Sequence, residues 1–384
     1  MGVSTPGTEV AERVEVIRAA LTEAGHPVVS AAAHGDEDVL AVHDRALLAH
    51  LRDVHKRWLA AGFADDPGQD RVVPYVFPTA AMLGPLPVGP AAAVHARAGQ
   101  FAYDTMTLVG AGTYRAARAA TDCALTAVDR VVAGERVTYA LCRPPGHHVT
   151  RSAYGGSCYL NNAAVAGQAL SGSGRVAIVD VDAHHGNGTA AIFYERADVF
   201  YGSVHVDPGA GWFPHVVGFA DATGTGTGTG TTLNLPLAPG TDDDAWCTAV
   251  ERLAGAVTWF GAAALVVSLG VDAAADDPES PLQVSAEGYR EAGRLLGALG
   301  LPSVGAAERC RAGGGLPPAI ARRTGRRLPR RTRASRGERS GTGEPVVLRP
   351  RRTGGPGRRR NGMGGSAPVT ALTDCRRLVV GSIA

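Results

Sequence analysis

A chain of 384 residues, 45% of them hydrophobic, is long enough for two average domains or one large α/β domain, which excludes disorder over most of its length. Its net charge of +2 is a cancellation: residues 1–304 carry 18 Arg, one Lys (Lys56) and 32 acids, a balance of −13, whereas residues 305–384 carry 19 Arg against Glu308, Glu338, Glu344 and Asp374, a balance of +15. The second part holds no Phe, Trp, Tyr or His, and every aromatic residue lies at or before Tyr289. Residues 1–304 are therefore expected to form the folded domain, and 305–384 an Arg/Gly/Pro-rich tail, disordered or produced by a shifted reading frame. Such a tail could meet phosphates, but 37 Arg to one Lys reads as base composition of the gene, so nucleic acid is not expected as a partner.

Six scattered cysteines without a C-x-x-C pair, and a start without an apolar segment behind basic residues, point to reduced thiols and a cytoplasmic location. The uncharged run Leu253 to Val271 is Ala- and Gly-rich, is broken by Gly261 and ends in Asp272. It reads as a buried helix end followed by a buried strand, and no membrane association is expected.

In chain order, Val10, Val14, Ile17 and Leu21 predict a helix over 9–24, and a second helical stretch runs from Asp36 through Trp58. Residues 61–100, rich in Pro and Gly, are expected to be a long structured loop, a possible site of homodimer contact. An amphipathic helix follows over 115–132. Four nearly continuous apolar runs then predict strands buried on both faces: 137–142, 175–181, 199–206 and 264–271. Helical segments at 161–170, 188–194 and 243–258 separate most of them. This alternation predicts one doubly wound, mostly parallel sheet flanked by helices, with right-handed crossovers. The TGTGTGTG run at 223–230 precedes LNLPL instead of opening a helix, and reads as a loop without phosphate-binding function.

Each predicted strand runs into polar residues at its carboxyl end, where open α/β sheets place their sites. The first leads to Arg143-Pro-Pro-Gly-His147-His148, the second contains Asp180-Val-Asp182-Ala-His184-His185-Gly-Asn187, the third ends Ser203-Val-His205-Val-Asp207, and the fourth ends at Asp272. Residues two apart in extended chain project to one side, so Asp182 and His184 can address one ion while Asp180 lies a step behind. Asp272, at another strand end, is placed to be a third ligand. Two carboxylates and one imidazole leave a zinc ion with an open position, the catalytic pattern. They also reduce the charge on the metal, so further donors are needed, and His147 and His148 on a stiff turn have the near-neutral pKa that general acid–base work requires.

In this order, RPPGHH, GGSCYLNNAA, VDVDAHHGNGT and SLGVD resemble the zinc-dependent histone deacetylase superfamily; PYVFPTAAM, FAYDTMTLV, YALCRPPGHH and LNLPLAPGT bring the acetylpolyamine amidohydrolases closest. The resemblance spans roughly residues 9–304 and implies hydrolysis of a small N-acetylated amine with release of acetate. It implies zinc on Asp182, His184 and Asp272, His148 as general base, His147 as its electrostatic partner, Asp180 supporting His147, and Asn187 near His148. It further implies a structural potassium on Asp180, Asp182, His184, Ser203 and Val204, and a Gly156 carbonyl that receives the substrate amide. Where an aromatic is usual the chain has Ser157, which implies a wider acyl tunnel with Trp212 and Phe213 opposite. A Gly-Gly-Tyr motif, whose hydroxyl stabilises the oxyanion, should follow LPSV at 301–304, but no tyrosine follows Tyr289. The C-terminal part of the fold and the opening strand before Glu9 are accordingly expected to be missing, and activity to be impaired. The alternative is a deacetylase-like binding protein or truncated product with little catalysis. A two-metal ureohydrolase is disfavoured because no carboxylate lies two residues past His184.

Overall fold

The computed structural model describes residues 12–89, 91–277, 280–308 and 377–380. The helices are α1 (Glu12–Glu23), α2 (Glu37–Val42), α3 (Arg45–Ala60), α4 (Ala80–Leu83), α5 (Val94–Phe101), α6 (Thr113–Val132), α7 (Asn162–Ser171), α8 (Asn187–Phe193), α9 (Asp243–Phe260) and α10 (Ala286–Gly297). The strands are β1 (Val28–Ser30), β2 (Val137–Leu141), β3 (Val176–Asp180), β4 (Val199–Val206), β5 (Thr232–Leu237), β6 (Ala264–Leu269), β7 (Ser303–Ala307) and β8 (Arg377–Val380).

One sheet, in the order β1-β8-β2-β7-β6-β3-β4-β5, is parallel at every pairing. Every residue of β3 and β4 is buried, which accounts for their largely apolar character. Helices α6 and α7 pack together, α7 against β3 and β6, while α9 packs against α10, β4 and β5. The α9 start is fixed by Asp242, whose side chain accepts the Ala245 N–H, with Asp243 and Asp244 in the positive first turn. Its end is Gly261 in the left-handed region.

The chain reaches β4 on one flank of β3 and β6 on the other, so the loops after β3 and β6 are neighbours at a switch point of the sheet, and a crevice forms there. A second apolar cluster, with Leu47, Leu51, Val54, Trp58, Val72, Val94, Val109, Tyr154 and Leu160, supports the segments around that crevice.

Several elements differ from expectation. The stretch 36–58 is two helices, α2 and α3, meeting at the extended His43 and Asp44. Residues 61–100 contain α4 and most of α5, the latter anchored by buried Val94 and Ala98; the surrounding Pro and Gly conceal a two-turn helix. The expected boundary at residue 304 falls inside β7, and Arg377–Val380 from the Arg-rich segment pairs with both β1 and β2, with Val379 buried. A three- or four-residue apolar run is enough for a strand held by neighbours on both sides, whatever the composition around it. An edge strand, β1, lies downstream of α1, and the expectation about a strand before Glu9 falls outside the described residues. The disorder expected for the rest of the tail concerns 309–376 and 381–384, outside the described residues.

Candidate active site

The loop after β3 is organised by its own carboxylates. Asp180 Oδ1 accepts the Asp182 N–H at 3.2 Å, Asp182 Oδ1 accepts the His184 N–H at 2.9 Å, and Asp272 Oδ1, arriving from β6, accepts the Ala183 N–H at 2.9 Å. These bonds bring one donor atom from each of Asp182, His184 and Asp272 within 4.8 Å of the others, all three residues being buried. His184 Nδ1 lies 2.9 Å from Asp272 Oδ2 and 3.2 Å from Asp182 Oδ1. Burial opposes charge on His184, yet its hydrogen bonds to Asp182 and Asp272 prevail and raise it to about 9. Burial likewise opposes charge on Asp182, but His147 and His184 hold its carboxyl well below the usual range. The space between the three side chains therefore attracts positive charge. Two carboxylates and one imidazole, buried and convergent, fit a zinc-like divalent ion with coordination positions to spare.

The histidine pair stands on the turn after β2, its rings 4.0 Å apart between centroids, with His148 6.2 Å from the His184 ring. His148 Nδ1 is 2.7 Å from Asn187 Oδ1, an acceptor, so Nδ1–H donates and the Nε2 lone pair is left free. Burial and the neighbouring His147 and His184 depress His148 well below its ordinary value, keeping it neutral. His147 differs: its Nδ1–H donates to Asp180 Oδ2 at 3.0 Å, and although burial opposes charge, Asp182, Asp180 and Glu308 raise it to about 10. The two adjacent rings thus have unlike partners at Nδ1, a carboxylate for His147 and an amide oxygen for His148, which favours the cationic form of the first and the neutral form of the second.

Segments from outside the sheet form the lip. Phe213 meets His148 edge-on at 4.7 Å and stacks with Tyr103 at 6.5 Å, and Tyr103 Oη–H donates to the His148 carbonyl at 2.8 Å. Gly156 adopts φ +60°, and a Cβ there would come within 2.3 Å of His148 Cδ2, so only glycine permits this approach. The turn is held by Asp104, whose Oδ2 accepts the Gly156 N–H at 2.6 Å, and by Thr107 Oγ1, which accepts the Ser157 N–H at 2.8 Å. Ser157 is exposed, at φ 65°.

Most of the residues singled out in the sequence converge here, although not all. Trp212 is partly buried and packs against the main core, whereas its neighbour Phe213 reaches His148. Ser203 lies beside Asp180 in the β3–β4 register, with its hydroxyl 2.8 Å from His205 Nδ1; Val204 is buried in β4. Three contributors escaped sequence reading. Tyr103 and Asp104 sit in the FAYDTMTLV stretch, noticed without a role. Glu308, counted only as an acid of the tail, is buried behind His147 and accepts its N–H at 3.0 Å.

A buried carboxylate–imidazole cradle and a histidine acid–base pair at the carboxyl ends of parallel strands define a class, the metal-assisted hydrolases. The Histone deacetylase domain model matches residues 7–323. The acetylpolyamine amidohydrolase of Mycoplana ramosa is 40% identical over 304 residues, covering 78% of this chain and 86% of its own. That of Burkholderia pseudomallei is 41% identical over 298 residues, covering 77% and 84%. A crystal structure of acetylpolyamine aminohydrolase from Burkholderia pseudomallei superposes with a TM-score of 0.76 at 39% identity, covering 81% of this chain and 88% of that one. The chain belongs to the histone deacetylase domain family.

Proposed function

We propose that this chain is a zinc-dependent amidohydrolase that removes the acetyl group from a small N-acetylated amine of the acetylpolyamine or acetyl-lysine kind. The observation that carries the reading is the placement of His147 and His148, each fixed at Nδ1 by Asp180 and Asn187 respectively, beside the buried cradle of Asp182, His184 and Asp272. A zinc ion held by Asp182, His184 and Asp272 would supply a Lewis acid for the acetyl carbonyl and would acidify a water there. His148, its tautomer fixed by Asn187, accepts the proton of that water at Nε2. His147, held by Asp180, presents a positive charge toward the developing oxyanion and is placed to return a proton to the leaving amine. Phe213 and Tyr103 cover one side of the acyl site, and exposed Ser157 leaves the other side open to acyl groups larger than acetyl. Asp180, Ser203 and Val204, with the main chain of Asp182 and His184, are proposed to hold a structural potassium.

The family resemblance assigns a tyrosine hydroxyl to the oxyanion, and the chain has no tyrosine beyond Tyr289. Loss of one oxyanion donor costs ~100- to 1000-fold in turnover, so acetate release is expected to be slow but measurable. The test is acetate release from N-acetylputrescine by the zinc-loaded full chain, with His148→Ala as control. Release above that control is the expected result; equal release by both proteins would refute the proposal.

A further inference from the structure

We infer that Glu308 is a positioning residue for the histidine pair, setting the main chain of the turn from which both rings project; the inference rests on the hydrolase reading above. The turn begins Arg143-Pro144-Pro145, and the two prolines have no N–H to give. Gly146 and His147 therefore carry the first main-chain donors of the turn after Arg143. Both go to one atom, Glu308 Oε2, at 2.6 and 3.0 Å. The other carboxylate oxygen, Oε1, accepts the Ser268 hydroxyl at 3.1 Å, and the Glu308 N–H donates to the Leu269 carbonyl at 3.0 Å. One buried side chain at the end of β7 thus fastens the turn after β2 to the end of β6, the strand that leads to Asp272.

Other anchors act elsewhere on the same turn. The His147 carbonyl accepts the Thr189 N–H at 3.1 Å, the His148 carbonyl accepts Tyr103 Oη–H, and both rings are held at Nδ1. Gly146 has no room to move inward, because a Cβ there would lie 2.5 Å from the Asn162 nitrogen. Glu308 fixes the amino side of the pair, and the angle at which His147 and His148 leave the backbone follows from where its Oε2 stands. Misplacement of a catalytic group by about 1 Å can cost on the order of 100-fold in rate.

The proposal makes the position of the acceptor the critical property and its charge secondary, and two substitutions separate these. Glu308→Gln keeps an acceptor oxygen at the same reach, while Glu308→Asp keeps the charge and withdraws the oxygen by one methylene. Each is made in the zinc-loaded full chain and compared with the parent in kcat and KM for N-acetylputrescine, and in the imidazole ¹⁵N resonances of His147, assigned through His147→Gln. For Glu308→Asp the expected result is a kcat lower by ~10- to 100-fold with KM little changed, together with displaced His147 resonances. For Glu308→Gln, most of kcat is kept and the resonances stay in place. Should Glu308→Asp not fold, Ser268→Ala replaces it, because a carboxylate without its Oε1 anchor can swing, and the same resonances should move. Parent-like behaviour of Glu308→Asp, or equal losses in both Glu308 variants, would overturn the inference. If the parent releases no acetate, the hydrolase reading fails, and the resonances alone decide the positioning role.

Discussion

The two halves of the site are built differently. Asp180, Asp182, His184 and Asp272 stand at or just past the ends of adjacent strands, at most 5% exposed, and main-chain N–H groups of the β3 loop are bound to three of their carboxylates. Tyr103, Gly156, Ser157 and Phe213 come from irregular segments between elements, and Tyr103, Gly156 and Phe213 meet His148 from different parts of the chain. The strand-end half cannot shift without disturbing the sheet, so it suits chemistry that tolerates little displacement. The lip segments around Tyr103 and Gly156 adjoin the second apolar cluster, which includes Ala102, Tyr154 and Cys158, and lie apart from the strand ends that carry the cradle, so the lip suits choice of substrate.

The contrast can be broken most severely at His148. His148→Ala should lower kcat by ~100- to 10,000-fold and leave zinc content unchanged, measured by acetate release and elemental analysis. Next, Asp180→Asn should weaken zinc binding or activity by ~10- to 100-fold, because it disturbs both the Asp182 N–H and the His147 ring; competition with a chelator measures the first. Substitutions in the lip should act on selection. Phe213→Ala is expected to raise KM by ~10-fold, and Ser157→Phe to reduce turnover of longer acyl groups relative to acetyl by ~10- to 100-fold, both read from steady-state kinetics. A kcat loss from Phe213→Ala as large as that from His148→Ala would erase the division between the halves.

The smallest effect on catalysis, and a test of the lip's support, concerns His43. Its Nδ1–H donates to the Thr150 carbonyl at 2.9 Å and its Nε2 accepts the Asn161 N–H at 2.9 Å, tying the start of α3 to the segments beneath the lip. Burial lowers it from 6.5 to about 4, so between these values the unfolded chain binds a proton that the folded chain does not. Its contribution is complete above pH 6.5 and is lost as the pH falls toward 4, by about 3 kcal/mol. Urea melts at pH 7 and pH 5 should show about 2 kcal/mol of this loss in the parent and less in His43→Gln.

The strand-end half was legible in the sequence because it obeys local rules. β2, β3, β4 and β6 are nearly continuous apolar runs, and D-x-D-x-H places its side chains by the period of extended chain. The rest obeys no local rule. β7 reads Ser-Val-Gly-Ala-Ala, with one β-branched residue, and is a strand because β2 and β6 pair with it on both sides. Glu308 acquires its role through partners 161 and 162 positions away, and Phe213 reaches a histidine 65 positions upstream. Contacts of that range depend on the topology, and periodicity does not record them. The Arg-rich composition also concealed β8, a four-residue strand whose register comes from β1 and β2.

The proposed chemistry requires that Asp182, His184 and Asp272 together hold one catalytic ion. Zinc content per chain, measured by elemental analysis after dialysis of the full chain beside Asp272→Asn, tests it most directly. One equivalent in the parent and a small fraction of one in the variant is the expected result; two equivalents in the parent, or equal zinc in both proteins, would contradict it.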